Sequence, residues 1–332
     1  MQARTWADGV NAQGSQLWMQ SSHAGRQSFR YVTNEPMGPS AVPVQMMGQI
    51  ATPRALEEHE ILDFIQRWAR AARWAEQAGF KGAQVHAAHG YLLSSFLSPL
   101  ANRRSDRWGG SIENRARFLI ETVRAIRKTV SSGFALSVKL NSADFQRGGF
   151  GPEDSQAVIA MLNDEGIDLL EISGGNYENP AMAKGAKGVN GAKASTVARE
   201  AYFLEFAEKV RKRVDVPLMV TGGFRTESGM AEAVASRATD LVGLARPLAV
   251  EPDFPRRIMA GQAFTSSVKP IRTGIRLIDE MALMEVSWYT RQLGRMGKGK
   301  APKKHDRGVL SLMEVLAVMT SRGVRTRLRA GE

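Results

Sequence analysis

Six short, apolar or β-rich runs, separated by longer helical patterns, limit what this chain can fold into more than any other feature. The runs are Gln16–Gln20, Gly82–His86, Phe134–Leu140, Asp168–Ser173, Pro217–Thr221 and Asp240–Leu244. Several are nearly continuous in apolar residues, as expected for parallel strands covered on both faces. Between them, Glu57–Ala78 sets Ile61, Phe64, Ile65, Trp68, Ala72 and Ala75 along one helical face, and Glu113–Val130 does the same with Phe118, Leu119, Val123 and Ile126. Helical patterns at Glu153–Asn163, Ala198–Val214 and Ser228–Ala235 follow. Gly79 and Gly166 stand where a helix-stopping glycine is expected, and Gly151-Pro152-Glu153-Asp154 reads as a helix start. Regular β-then-α alternation predicts a parallel α/β fold. Polar and Gly-rich residues recur just after the runs: His86 to Tyr91, Lys139-Leu140-Asn141, Ser173-Gly174-Gly175, Thr221-Gly222-Gly223 and Ala245-Arg246. That placement suits a TIM (β/α)8 barrel, whose active sites lie at the C-terminal strand ends, better than a doubly wound sheet. A closed barrel has eight strands and only six runs are found, the first beginning at Gln16. The expected architecture is therefore a barrel-type α/β fold lacking the first two β–α units, with two strand edges exposed.

Composition narrows the function. With 43% hydrophobic and 23% charged residues, the 332-residue chain is globular rather than disordered. It has no cysteine, which excludes disulfides, cysteine zinc sites, iron–sulfur clusters and thiol nucleophiles together. No apolar run approaches the roughly 20 residues of a membrane span, and Met1–Ser15 carries no signal-like apolar stretch, so a cytoplasmic protein without a membrane partner is expected. The net charge of +12 is concentrated at one end: residues 291–332 hold 11 Lys or Arg against 3 Asp or Glu. Such a tail could attract nucleic acid, acidic lipid or a phosphorylated substrate. Lacking zinc ligands or a nucleic-acid motif, residues 296–332 are read as a solvated basic extension, with no nucleic acid as partner.

The densest candidate chemistry is His86-Ala87-Ala88-His89-Gly90-Tyr91, which holds two of the five histidines. A neutral imidazole can donate a hydrogen bond to a substrate oxygen and a phenol can donate a proton. Two other readings of the same residues are a metal site, which needs a third ligand from elsewhere, and histidines satisfied by loop hydrogen bonds. Thr221-Gly222-Gly223-Phe224 and Gly243-Leu244-Ala245-Arg246 follow the last two runs. Glycines there let backbone N–H groups approach a phosphate that an arginine can fork onto, or they are simply turn glycines. Lys139 lies within an apolar run, and burying it requires an anionic partner, which an anionic cofactor would supply.

At residues 86–118 the sequence HAAHGYLLSSFLSPLANRRSDRWGGSIENRARF closely resembles the Old Yellow Enzyme family, the NADH:flavin oxidoreductases. MQSSHAGRQ at 19–27, LSVKLNS at 136–142, LEISGGNYE at 170–178, VTGGF at 220–224 and LVGLARPL at 241–248 resemble the family in the same order, so the resemblance covers roughly residues 4–295. His-x-x-His rather than His-x-x-Asn resembles the bacterial single-domain and dienoyl-CoA-reductase-like branch, without that branch's iron–sulfur cluster. The resemblance implies an FMN-binding barrel domain over residues 1–295. It implies that Gln20 bonds the flavin pyrimidine edge, that Lys139 sits beside flavin N1 and O2, and that Gly222, Gly223, Ala245 and Arg246 cradle the FMN phosphate. His86 and His89 would grip a substrate carbonyl or other oxyanion, and Tyr91 would protonate the substrate α-carbon. Arg26 would lie near the cofactor or a subunit contact, while Asp106, Arg107, Asn114 and Arg115 would make structural ion pairs and loop hydrogen bonds. The implied activity is ene reduction: NADH or NADPH reduces the flavin, which then passes a hydride to an enone or similar activated alkene. The family's two earlier β–α units have no counterpart here, which keeps a flavin-free, inactive remnant acting as an interaction protein as the alternative. Substrate, choice of nicotinamide and homo-oligomerisation are left open.

Overall fold

In the computed structural model, residues 2–46, 48–176, 178, 203–269, 271, 283–303 and 308–330 are described. Six strands form one sheet: β1 (Trp18–Ser21), β2 (Gly82–Ala87), β3 (Ala135–Asn141), β4 (Leu169–Ser173), β5 (Leu218–Thr221) and β6 (Leu241–Gly243). They lie in sequence order and every neighbouring pair is parallel. Each sequence-predicted run is present, with ends displaced by at most two residues. Among the described residues no pairing joins β1 to β6, so these are the outer strands, and Leu241 on β6 is 45% exposed. A separate parallel pair of two residues each, Met37–Gly38 with Arg54–Ala55, sits in the connection after β1.

The helices are α1 (Gln2–Asn11), α2 (Glu58–Gln77), α3 (Leu92–Leu97), α4 (Ile112–Arg127), α5 (Pro152–Asp164), α6 (Leu204–Arg211), α7 (Glu227–Ala235), α8 (Arg246–Val250), α9 (Phe254–Met259), α10 (Leu283–Met296) and α11 (Gly308–Ala330). Their starts follow from local chemistry. The Glu60 carboxylate accepts the Glu57 backbone N–H at 2.9 Å and holds Arg54 at 2.6 Å, which pins the first turn of α2. Ser111 caps α4 by accepting the Asn114 N–H. Gly79 and Gly166, at φ +90° and +65°, follow the C-caps of α2 and α5, as their positions in the sequence predict. Residues 198–202 of the predicted Ala198–Val214 helix lie outside the described residues; the described part is α6.

Strand alternation sorts the sheet into two unlike faces. Ala83, Val85 and Ala87, then Leu136, Val138 and Leu140, then Leu170 and Ile172, then Leu218 and Val220 turn to the helix layer and are buried. Against them pack Ile61, Ile65, Trp68 and Ala72 of α2 and Phe118, Leu119, Val123 and Ile126 of α4. Phe118 is enclosed by three aromatic neighbours, with ring centroids 5.0 Å from Phe96, 5.7 Å from Trp68 and 6.3 Å from Trp108. The other face carries Gln84, His86, Ser137, Lys139, Asn141, Glu171 and Ser173. That face is thus mainly polar, Leu169 of β4 and Met219 of β5 being its apolar members, which corrects the expectation of apolar cover on both sides.

The C-terminal segment is also more structured than a solvated tail. α11 packs on α10, where Ser311 is fully buried and Arg291 pairs with Glu314 at 3.0 Å.

Candidate active site

Register brings the polar residues of the inner face into rows. Gln20, Gln84 and Ser137 are cross-strand partners on β1, β2 and β3. The Gln20 side-chain amide donates to Gln84 Oε1 at 2.6 Å, and Gln84 Nε2 donates to Ser137 Oγ at 3.0 Å. One row nearer the C-terminal ends, His86, Lys139 and Glu171 are partners on β2, β3 and β4. Lys139 Nζ reaches Glu171 Oε1 at 2.7 Å, with both side chains largely buried. The buried lysine therefore has a protein partner, where the sequence suggested that an anionic cofactor would supply one.

His86 is the penultimate residue of β2, and His89 and Tyr91 lie in the turn into α3, with Tyr91 as its N-cap. The three rings form a cluster: His86 to His89 is 5.1 Å and His86 to Tyr91 is 4.9 Å between centroids. Burial, then the nearby Lys139 ammonium, pulls the His86 imidazole down to about 4. The same two causes hold His89 well below its ordinary value. Both rings are therefore neutral at pH 7 and act as hydrogen-bond donors rather than cations. His89 sits at φ +61°, fixed from both sides: its N–H donates to Asn141 Oδ1 at 3.2 Å and its carbonyl accepts from Gln27 Nε2 at 3.0 Å. Asn141 in turn donates to Asp144, whose carboxyl is pushed up to about 6 by burial despite hydrogen bonds from Asn141 and Ser98.

His89 and Tyr91 border a cavity of about 660 Å³ at the C-terminal strand ends. Its opposite wall is made by Thr221, Gly222, Gly223, Ala245 and Arg246, so the predicted phosphate cradle and the histidine–tyrosine turn face one space. Gly222 and Gly223 stand at φ +124° and +96°, a backbone that turns their amides in a way side-chain-bearing residues rarely allow. Thr221 Oγ1 is buried beside them with no hydrogen-bond partner among the described residues. His86, Gln20 and Lys139 do not border this cavity; they lie on the polar face below it. The last wall comes from α10, through Glu285, Val286, Tyr289, Thr290 and Leu293. Glu285 pairs with Arg246 at 3.0 Å, and Tyr289 is pushed up to about 12, first by burial and then by Glu285.

A sequence profile of the NADH:flavin oxidoreductase / NADH oxidase family matches residues 1–264. The chain belongs to this family. Its cofactors are FMN and NAD(P)H. Among its relatives, an NADH-dependent flavin oxidoreductase, iliE, of Neonectria sp. (strain DH2) is 38% identical over 88% of this chain and 40% of its own length. The iliE protein of Hypocrea jecorina (strain QM6a) is 36% identical over 87% of this chain and 74% of its own. An NADPH dehydrogenase of Bacillus velezensis is 34% identical over 79% of this chain and 72% of its own. The chain thus spans between two fifths and about three quarters of these relatives. Among solved structures, a 2-naphthoyl-CoA reductase bound to 2-naphthoyl-CoA superposes with a TM-score of 0.73 at 31% identity, over 81% of this chain and 42% of that one. An Old Yellow Enzyme homologue of Zymomonas mobilis superposes with a TM-score of 0.65 at 26% identity, over 80% of this chain and 74% of that one. The parallel α/β fold is that of these barrel enzymes.

Against this family background, several site residues were not singled out by sequence. Glu171, Gln84 and Ser137 are polar residues at alternate positions of otherwise apolar strands, a signal visible in GAQVH, FALSVKL and DLLEIS. Glu285 carried none. Arg26 is buried and pairs with Glu178 at 2.8 Å. Asp106 with Arg104, Arg107 with Glu58 and Arg115 with Asp154 are the structural ion pairs the loop sequence suggested.

Proposed function

We propose that this chain is an FMN-dependent NAD(P)H oxidoreductase of the ene-reductase type, acting on an alkene activated by a carbonyl or nitro group. The observation that carries this reading is that His89 and Tyr91, with the neutral His86 ring packed on Tyr91 behind them, face the Gly222-Gly223 and Ala245-Arg246 turns across a 660 Å³ cavity. The residues suit FMN. The cavity lies within the range of about 300–1,000 Å³ usual for such ligands. The Thr221 hydroxyl, partnerless among the described residues, the left-handed glycines and Arg246 would form a donor set for a phosphate, while Gln20 and Lys139 would meet the ring edge. When bound, FMN supplies two-electron hydride chemistry between the nicotinamide and the alkene carbon.

The chain's own residues supply the rest. His86 and His89 donate hydrogen bonds to the substrate oxygen, drawing electron density from the alkene and stabilising the charge that grows there. Being neutral, they leave the proton to another group. Tyr91 gives that proton to the α-carbon as general acid. Lys139, held by Glu171 at 2.7 Å, would meet the cofactor's ring edge from the polar face.

A second reading, a flavin-free chain without turnover, is favoured by two features: Glu285 already neutralises Arg246, and β1 and β6 are open edges. Mixing the chain with excess FMN, desalting it and recording its visible spectrum separates the two. Retained flavin supports the enzyme, and a colourless protein supports the alternative. With flavin retained, Tyr91→Phe is expected to slow alkene reduction by roughly 10²–10⁴-fold while leaving reduction by NAD(P)H nearly intact. Equal losses in both half-reactions would remove Tyr91 from its assigned role.

A further inference from the structure

The two histidines do not offer the same ring nitrogen. His86 Nδ1 accepts the Ala88 backbone N–H at 3.3 Å, so the neutral His86 ring carries its proton on Nε2. His89 is engaged from the other end, with Nε2 2.8 Å from Ser173 Oγ. The Ser173 side chain is fully buried, and a buried hydroxyl proton needs an acceptor. Among the described residues His89 Nε2 is the acceptor within reach. Were His89 to donate to Ser173 instead, the serine proton would be stranded. The hydroxyl therefore donates, Nε2 accepts, and the His89 proton sits on Nδ1.

We infer that Ser173 is a positioning residue that holds His89 in its Nδ1–H tautomer, so that the ring keeps an N–H donor on the nitrogen Ser173 does not engage. The consequence for turnover rests on the ene-reductase reading. Neither His86 Nε2 nor His89 Nδ1 has a partner among the described residues, and neither is among the sealed, partnerless side-chain atoms. The Asn141 and Gln27 hydrogen bonds fix the His89 backbone, and the Ser173 hydrogen bond is the contact that holds the ring itself.

Long-range ¹H–¹⁵N correlation of the histidine rings in the full chain at pH 7 reads the tautomers directly, without cofactor or turnover. The chain has five histidines, and His86→Gln and His89→Gln spectra assign the two. The expected pattern is a protonated Nδ1 on His89 and a protonated Nε2 on His86. Ser173→Ala should abolish the His89 pattern, and Ser173→Thr, which keeps the hydroxyl, should restore it. In the FMN-loaded enzyme Ser173→Ala should raise KM for an enone roughly tenfold, about the worth of one hydrogen bond, without slowing reduction by NAD(P)H. A protonated Nε2 on wild-type His89, or an unchanged pattern in Ser173→Ala, overturns the inference. The expected tautomers in a chain that reduces no enone would uphold it and overturn only the functional reading.

Discussion

Ala83, Val85 and Ala87 turn from β2 onto the helices, while Gln84 and His86, each one residue away, turn to the opposite side and meet Ser137 and Lys139. The same division runs on through β4 and β5, with Leu169 and Met219 as apolar exceptions on the polar side. One face is a close-packed apolar layer under α2 and α4, where burial is favourable in proportion to area. The other is a polar lattice of Gln–Gln–Ser, Lys–Glu and His–Ser contacts, whose desolvation roughly cancels what the contacts return. The difference teaches that this fold draws its stability from one side of its strands and leaves the other side to chemistry.

The comparison can be broken or sharpened by mutation. The largest expected effect is on the apolar side. Phe118→Ala removes the ring at the centre of the α3–α4–α2 aromatic cluster and should cost about 3–5 kcal/mol in a urea unfolding series; a loss below about 1 kcal/mol would deny the helix layer its stabilising role. On the polar side, Glu171→Ala strands a buried ammonium and should cost about 3 kcal/mol. The double change Lys139→Met with Glu171→Leu should recover most of that stability while losing flavin retention. Failure to recover would mean that the pair stabilises the fold on its own account.

The smallest of the three effects is on pH. The His86 pKa is lowered to about 4 in the folded chain, against an ordinary value of 6.5. Between those values the unfolded chain binds the proton more readily, so stability is lost as pH falls and is regained as pH rises through the window. From pH 7 to pH 5 this amounts to about 2 kcal/mol. Melting temperatures of wild type and His86→Gln should therefore converge on acidification, because the variant lacks this penalty. Parallel curves would place His86 in a wetter site than its burial indicates.

Much of the fold was legible because its periodicities are local. The helix faces of α2 and α4 and the C′ glycines of α2 and α5 are set by neighbours in sequence. The two-residue alternation in FALSVKL was present as well, but the apolar majority in each run masked it. What could not be read was anything requiring register between strands. Glu171 faces Lys139 because β3 and β4 pair at that offset, and Ser173 reaches His89 because a turn after β2 folds across β4. A single sequence carries no record of either juxtaposition. The contribution of α10 was equally hidden, since Glu285 meets Arg246 across 39 residues. The motif turns themselves, His86 to Tyr91 and the two glycine-containing cradles, were legible, and the structure brings the second histidine, the tyrosine and both cradles to one cavity.

The left-handed backbone at His89 limits which amino acids that position can hold. At φ +61° the tolerant residues are Gly, Asn, Asp and His. Glycine has no side chain with which to donate, and an ionised aspartate can only accept. Longer donors such as Gln or Lys would bring the proton at a greater backbone cost, although Arg237 takes φ +58° elsewhere in the chain. Two residues satisfy both demands at little cost, so the favoured alphabet at this point of the turn has two letters, histidine and asparagine. Drift between those letters would exchange an imidazole for an amide while leaving an N–H at the same place.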